Sequence, residues 1–344
     1  MPEDSRKVRI AVDAMSGDYA PEEEVGGAVL AAQKGDVEII LVGSRDILEG
    51  ELSKHSSSNN LSIRLVQATE VIKEAESPAS AVRRKPNSSV VVATKLVEAG
   101  EADAMVSAGS SGAVAVSAIQ HIGMIEGMER PAIGGTLGSF GSNTVMMDLG
   151  ANVDCKPYQF LAFAIAGSVF AKKLLDIANP TVALLSTGSE EGKGKEIIRE
   201  AYPLLKNSGL NFIGNIEGSD VLSGRANVII CDGFVGNVLI KFYESIGDHA
   251  VEWAKRKLRK YPLLAKIVKL WFNRIFPLTK LSYESEGEGF GILWGVDGVV
   301  RIAHGASRAP HIAHAIASAR NAVKADIVGC LKAELEKFEK EGKL

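Results

Sequence analysis

The sequence has few cysteines and no apolar run long enough to form a membrane helix. Its three cysteines, Cys155, Cys231 and Cys330, are widely spaced and odd in number, so they show neither a disulfide framework nor a zinc-ligand spacing. The longest apolar stretch, residues 160–171, is shorter than the roughly 20 residues that cross a bilayer. The charged first seven residues lack the apolar core of a signal peptide. We therefore expect a cytoplasmic protein.

Common nucleotide-binding and hydrolase motifs are also missing. No Gly-x-Gly-x-x-Gly follows the first predicted strand, which disfavours an NAD-binding Rossmann domain. Gly188 and Gly192 precede Lys193, but the spacing of the glycines and the glycine after the lysine differ from those of a Walker A loop. No Gly-x-Ser-x-Gly elbow is present, which disfavours an α/β hydrolase.

Short apolar runs alternate instead with longer amphipathic segments. Apolar residues make up 46% of the chain and charged residues 24%, which is ordinary for a globular protein. The short runs predict buried strands at residues 8–14, 38–42, 63–66, 104–107, 144–149, 181–185, 228–231 and 299–303. Helical periodicity predicts helices at residues 22–33, 89–98, 158–178 and 195–206. The alternation predicts an α/β fold with a mostly parallel sheet and helices on both faces.

Glycine-rich turns follow several predicted strands, at the edge where open α/β sheets bind their ligands. Five such turns span residues 12–21, 107–112, 186–194, 231–237 and 303–307. Small residues before a helix leave backbone N–H groups free to bind an anion, and the helix dipole adds to that attraction. A tight turn alone also requires glycine, so each turn by itself is a weak signal. Together the five turns indicate a site for an anionic ligand.

Side chains at the same strand ends leave other chemistries open. Cys231 is a candidate nucleophile, although a buried core cysteine is the favoured interpretation. His304 is a candidate acid or base, although a hydrogen-bonded structural histidine is favoured. Four strand-end aspartates are candidate ligands of a divalent cation, although aspartate there more often caps helices and turns: Asp13, Asp148, Asp154 and Asp232. We predict a site without a metal.

Taken in order, these turns resemble those of the PlsX phosphate acyltransferases over residues 8–322. The most specific matches are residues 211–218, Asn-Phe-Ile-Gly-Asn-Ile-Glu-Gly, and residues 231–237, Cys-Asp-Gly-Phe-Val-Gly-Asn, followed by Lys241. Supporting matches are residues 12–15, 17–18, 20–21, 107–109, 112, 148–152, 154 and 190–194. The chain departs from the family pattern at Tyr19, where the family usually has histidine, so that position offers no imidazole for acid or base chemistry.

The resemblance implies an enzyme that transfers a fatty-acyl group from an acyl carrier protein thioester to inorganic phosphate, giving acyl phosphate for phospholipid synthesis. It implies a fold like that of the phosphotransacetylases and the isocitrate and isopropylmalate dehydrogenases. It also implies a homodimer in peripheral contact with an anionic membrane, with no cofactor and no nucleic-acid partner. We expect one α/β catalytic domain over residues 1–330, and a charged helix end at residues 331–344.

Phosphate is already an anionic nucleophile, and a thiol with a pKa of about 8.5 is a good leaving group. The reaction therefore needs a positioned phosphate and donors for the developing oxyanion, rather than a catalytic triad or a metal. From the matching motifs, the resemblance implies that Lys193 neutralises this charge and that Asn237 donates to the carbonyl oxygen or to phosphate. The other predicted substrate- or phosphate-binding residues are Asp13, Gly17, Ser107, Gly109, Ser110, Ser111, Gly112, Gly188, Asp232 and Gly233.

A basic segment spans residues 252–281, with nine Lys or Arg residues and one Glu. Its net charge of +8 leaves −11 on the rest of the chain. Helical spacing places Ile267, Trp271 and Phe272 in one apolar stripe, with Lys266 and Lys269 on the opposite side. The pattern predicts a protruding amphipathic helix that contacts an anionic membrane, acyl carrier protein or a second subunit.

Two functions from other classes remain open on the sequence alone. The strand-end aspartates and the expected architecture also suit a metal-dependent dehydrogenase of isopropylmalate type, which a nicotinamide absorbance change with Mg²⁺ would reveal. The basic amphipathic segment also suits a non-catalytic lipid-binding scaffold, which turnover of an acyl carrier protein thioester would exclude.

Overall fold

A computed structural model describes residues 6–55, 61–136, 144–258 and 291–344. Its strands are β1 (Val8–Asp13), β2 (Val37–Gly43), β3 (Ile63–Gln67), β4 (Ala104–Ser107), β5 (Ala132–Thr136), β6 (Val145–Met147), β7 (Val182–Leu185), β8 (Phe212–Ile216), β9 (Val228–Ile230), β10 (Ile292–Trp294) and β11 (Val299–Ile302). Its helices are α1 (Glu22–Ala32), α2 (Arg45–Ser53), α3 (Pro78–Arg84), α4 (Ser89–Glu98), α5 (Ser111–His121), α6 (Pro157–Leu174), α7 (Glu196–Lys206), α8 (Gly233–Leu258), α9 (Ala309–Lys324) and α10 (Ile327–Lys340).

Within these residues the strands form one sheet in the order β3-β2-β1-β4-β11-β10-β5-β6-β9-β7-β8. The first five strands in this order, β3, β2, β1, β4 and β11, pair in parallel. The last four, β6, β9, β7 and β8, also pair in parallel. Three antiparallel pairings, β11 with β10, β10 with β5, and β5 with β6, join the two groups. The predicted mostly parallel sheet is therefore confirmed.

The sheet is covered on both faces, which explains why its central strands are almost continuously apolar. Successive side chains of a strand point to opposite faces, so Ile10 and Val12 lie in one core cluster while Ala11 lies in another. Helices α1, α6, α9 and α10 contribute to the first cluster, and α3, α4 and α5 to the second. A third cluster packs α8 against the half of the sheet that contains β7 and β9. The predicted helices on both faces are thus present.

The predicted basic segment begins inside α8 and continues past its end at residue 258. The stripe and lysine residues predicted to contact a membrane or partner lie outside the described residues: Lys266, Ile267, Lys269, Trp271 and Phe272. At the C-terminus, the charged helix end belongs to α10, which also buries Leu331, Leu335 and Phe338 against the core. Among the described helices, none combines the length and apolar character that a membrane span requires.

Candidate active site

A cavity of about 520 Å³ lies at the carboxyl ends of β1, β4 and β11, which are neighbours in the sheet. Three turns line it, namely residues 15–18 after β1, 108–111 after β4 and 303–305 after β11. Lys73 and Lys241 add two cationic side chains to the lining, and Asp18 and Glu74 add two carboxylates. The predicted residues that line this cavity are Gly17, Gly109, Ser110 and Ser111. An open α/β sheet binds its ligands at this edge.

The N-terminus of α5 opens onto the cavity. Ser110 is its N-cap and Ser111 its first residue, and the first N–H groups of a helix have no helical acceptor. A side chain at Gly109 would lie 2.7 Å from Cβ of Ser16, and one at Gly112 would lie 2.8 Å from Cγ of Pro78. The glycines therefore permit the close approach of neighbouring turns that brings these N–H groups to the cavity.

Asp13 and Ser107 lie beneath the lining turns and are both buried. Ser107 Oγ donates to Asp13 Oδ2 at 2.7 Å and accepts from the N–H of Gly109 at 3.1 Å. Burial raises the pKa of Asp13, while hydrogen bonds from serine hydroxyls oppose the rise. This pair ties the end of β1 to the end of β4, and so supports the turn that carries the predicted anion-binding residues.

Lys241 on α8 reaches the turn after β11. Its Nζ lies 3.2 Å from Nε2 of His304, and Nδ1 of that ring accepts from the N–H of Ala306 at 3.1 Å. An acceptor at Nδ1 places the proton of the neutral imidazole on Nε2. The ammonium and the ring N–H are then two donors 3.2 Å apart at the cavity wall that do not bond each other, and an anion placed between them would accept from both.

A second group of predicted residues lies at the carboxyl ends of β7 and β9, outside the lining of this cavity. Asp232 is 4% exposed, and its Oδ1 accepts from the N–H of Val235 at 2.8 Å, which caps α8. Its Oδ2 accepts from Nζ of Lys195 at 3.0 Å. Sequence reasoning missed Lys195, since no motif marks it, and had assigned the charge of this turn to Lys193.

Lys193 itself is exposed on the turn between β7 and α7. Its N–H donates to the carbonyl of Glu190 at 3.0 Å, and its Cγ lies 3.0 Å from where a side chain at Gly188 would begin. Gly194 has a φ of +99°, a conformation that glycine adopts without strain. The lysine stem thus covers Gly188 and leaves the ammonium in solvent.

α8 connects the two groups. Asn237 and Lys241 are four residues apart and lie on the same exposed face of the helix. The side chain of Asn237 packs beside Gly150: a Cβ added to Gly150 would lie 3.3 Å from Cβ of Asn237. The N–H of Gly233 donates to the carbonyl of Asn152 at 2.8 Å. The turn after β6 therefore fixes the start of α8, and the helix carries Lys241 toward the cavity.

The strand-end thiol is poorly placed for nucleophilic chemistry. Cys231 is 1% exposed, and its thiol lies 3.4 Å from the carbonyl oxygen of Asp148. Burial raises the pKa of Cys231 well above its ordinary value, and the nearby carboxylates add to the rise. The thiolate is the reactive form, so this environment disfavours nucleophilic chemistry at Cys231. Within the described residues, no three His, Cys, Asp or Glu side chains gather as a metal site.

Comparisons with known proteins bear on this arrangement. The family model described as fatty acid synthesis protein matches residues 8–329. The phosphate acyltransferase of Pelotomaculum thermopropionicum is 44% identical over 335 residues, 97% of each chain, and that of Thermosynechococcus vestitus is 43% identical over 323 residues, 92% of each chain. A phosphotransacetylase from Streptococcus pyogenes has a similar structure, with a TM-score of 0.62 at 20% identity over 93% of this chain and 94% of that one.

The structural match confirms the predicted likeness to the phosphotransacetylase fold. The sequence matches extend over almost all of the chain and include every turn discussed above. The chain therefore belongs to the fatty acid synthesis protein family, the PlsX acyltransferase enzymes that its motifs predict.

Proposed function

We propose that this protein transfers a fatty-acyl group from an acyl carrier protein thioester to inorganic phosphate. One observation carries the proposal: the cavity combines the N-terminus of α5 with the two donors of Lys241 and His304. Such a set of N–H donors and a cation suits a small, highly charged anion. Membership of the family supports acyl transfer to that anion.

The chemistry requires no covalent enzyme intermediate. A phosphate oxygen attacks the thioester carbonyl, the new C–O bond forms, and the C–S bond breaks with its electron pair leaving on sulfur. The thiolate then takes a proton from solvent. Holding phosphate beside the carbonyl supplies the orientation, and hydrogen-bond donors stabilise the oxyanion that develops on the carbonyl oxygen. Lys193 and Asn237 are proposed for that second role.

The exposed face of α8 carries apolar side chains that suit contact with an acyl chain. Phe234, Val238 and Phe242 are each more than half exposed and lie on the same side of the helix as Asn237 and Lys241. Exposed apolar side chains that adjoin polar ones are typical of a surface that another molecule covers. We assign this face to the acyl chain, whose carbonyl end would meet the polar residues.

Incubation of the purified protein with acyl carrier protein thioester and phosphate is expected to yield acyl phosphate and free carrier thiol, detected by mass spectrometry. The Cys231→Ala variant should retain wild-type turnover, because the buried thiol takes no part in the attack. The activity should also persist in EDTA.

Three results would contradict this proposal. An acyl adduct on Cys231 that forms and decays at the rate of turnover would replace direct attack by a two-step route. A nicotinamide-dependent absorbance change with Mg²⁺ and no acyl product would favour the dehydrogenase. Thioester binding without turnover would favour the lipid-binding scaffold.

We further propose that the protein is a cytoplasmic homodimer in peripheral contact with an anionic membrane. The +8 charge of residues 252–281, set against −11 for the rest of the chain, supports this contact. Each basic residue near an anionic leaflet contributes about 1 kcal/mol, and salt screens this attraction. Apolar side chains in the same segment add a part that salt does not screen.

Binding to liposomes is therefore expected to rise with the fraction of anionic lipid and to weaken, without vanishing, at high salt. Replacing Ile267, Trp271 and Phe272 together by serine should release the protein from liposomes. The same variant should keep its activity on soluble thioester, because these three residues are not among those assigned to the chemistry. Co-sedimentation with vesicles measures the first effect, and sedimentation velocity monitors the dimer. Unfolding or dissociation of the triple variant would instead assign the stripe to the core or the subunit interface.

A further inference from the structure

One buried carboxyl group near the cavity has no role in the scheme above. Glu24, in the first turn of α1, is 1% exposed. Neither of its carboxyl oxygens has a hydrogen-bond partner among the described residues. A side chain at Gly17 would overlap Oε1 of Glu24, so this carboxyl lies directly behind the turn that lines the cavity.

The charged groups that face Glu24 are negative. Asp13 and Asp18 approach it from β1 and the turn that follows, and Glu23 from its own helix. The arginine at the start of α9 is engaged elsewhere, because Arg308 Nη1 lies 3.0 Å from Oε1 of Glu23 and its guanidinium stacks on the ring of Tyr19. Among the described residues, the backbone N–H of Glu24 itself favours the charged form, but burial outweighs it.

The other elements packed against α1 present mainly apolar side chains, although His55 lies near Gly26 and Lys54 interacts with Glu22 at the end of α2. α9 turns Ala309 and Ile312 toward the glycines of α1. The side chains of Ile39 and Leu41 on β2, and of Leu48 on α2, lie in the same apolar cluster. Burying an ionised carboxylate without a partner is costly, and a group in such a place takes up a proton instead.

We propose that Glu24 is a positioning residue held in its neutral, protonated form behind the turn after β1, and that its ionisation weakens anion binding in the cavity. The link to the cavity rests on the proposed function. In the neutral form, the side chain packs against Gly17 and adds no charge near the anion. In the ionised form, it adds a negative charge beside Asp13 and Asp18, which repels the same anion and strains the apolar packing.

The pKa of Glu24 is raised to about 8, chiefly by burial and then by the charge of Asp13. Between the ordinary carboxyl pKa and this value, the folded protein holds a proton that the unfolded chain has lost. The free energy of unfolding therefore decreases as the pH rises through that window, and becomes constant with respect to Glu24 above about pH 8. A side chain at position 24 that does not ionise, such as glutamine, abolishes this decrease in the free energy of unfolding.

The test compares wild type with Glu24→Gln, and with Glu22→Gln as the matched control, since Glu22 lies in the same helical turn but is exposed. Calorimetric titration with inorganic phosphate is made at pH values from 6.5 to 9.5. The affinity of wild type and of the control should fall roughly fivefold more between pH 7 and pH 9 than that of Glu24→Gln. Urea unfolding over the same range should show Glu24→Gln gaining stability over wild type as the pH rises to 8, with no such gain for the control.

Equal pH dependence of phosphate affinity in Glu24→Gln and wild type would overturn the link to the cavity. Equal pH dependence of unfolding would overturn the protonated state of Glu24. If no protein binds phosphate at any pH, the proposed function fails together with that link, and the unfolding series alone decides the protonation. Should Glu24→Gln not fold, Glu24→Leu supplies the same uncharged comparison. If neither variant folds, the neutral form is not what the site requires, which refutes the proposal.

Discussion

The Lys193→Ala variant is expected to turn over acyl carrier protein thioester at least tenfold more slowly than wild type, which corresponds to about 1.4 kcal/mol of activation free energy. Lys193 is exposed at the tip of a glycine-flanked turn, so its ammonium is free to meet a ligand. If it neutralises charge that develops on the carbonyl oxygen, the loss appears in kcat more than in KM. Steady-state kinetics with varied thioester and phosphate measure both constants.

Lys195→Ala is the matched control for this variant. It removes the same charge from the same turn, but its ammonium is held by Asp232 at 3.0 Å. The Asp232 carboxylate still caps α8 without it, so a smaller loss of turnover is expected. Equal losses in the two variants would mean that only the net charge of the turn matters. Wild-type kinetics for Lys193→Ala, with an unchanged circular dichroism spectrum, would remove Lys193 from the proposed site.

The apolar runs in the sequence were sufficient to predict most of the sheet. β4 and α4 have the predicted boundaries, β1 and β7 differ from them by one residue at one end, and β2 differs by one residue at each end. These strands lie inside the sheet and are covered on both faces, so their sequences are apolar throughout and easily recognised. In these strands the apolar sequence pattern and burial in the folded sheet lead to the same structure.

Three strands could not be predicted from the pattern. β5 contains adjacent glycines, and a side chain at Gly134 would overlap Cε of Met147 and approach the ring of Trp294. Glycine disfavours a strand by its local propensity, and here it is required by packing that only the folded sheet creates. β10 is a three-residue run between Gly291 and Gly295, and β8 contains Gly214 at a φ of +92°.

The candidate site was predictable at the level of turns but not of contacts. Glycines after strands indicated where the chain would meet a ligand, because that rule depends on local sequence and sheet topology. The approach of Lys241 to His304 joins residues 63 positions apart and depends on the path of α8. The burial of Glu24 behind Gly17 depends on the packing of α1, and its sequence resembles an ordinary acidic first helical turn.

Asp148→Ala is expected to lower the free energy of unfolding by at least about 3 kcal/mol, because it leaves several buried donors without a partner. Oδ1 of Asp148 accepts from the backbone N–H groups of Ile133, Gly150 and Ala151 at 3.0 to 3.1 Å. Oδ2 accepts from the backbone N–H of Asn152 at 2.7 Å and from its side-chain amide at 2.8 Å. Urea denaturation should show a lower midpoint with an unchanged m-value.

Asp154→Ala is the control for this variant, since it removes an exposed carboxylate from the same loop. Its midpoint should match that of wild type, and equal midpoints for the two variants would show that Asp148 does not hold the loop together. The midpoint of Asp148→Asn is expected to lie between those of wild type and Asp148→Ala, because one oxygen remains while its NH₂ group faces N–H donors.

The Asp148→Ala substitution should also weaken function, because α8 starts against this loop, where a side chain at Gly236 would overlap the carbonyl oxygen of Asp148. Once the loop shifts, Asn237 and Lys241 shift with the helix, so the folded fraction of Asp148→Ala should bind phosphate more weakly than wild type.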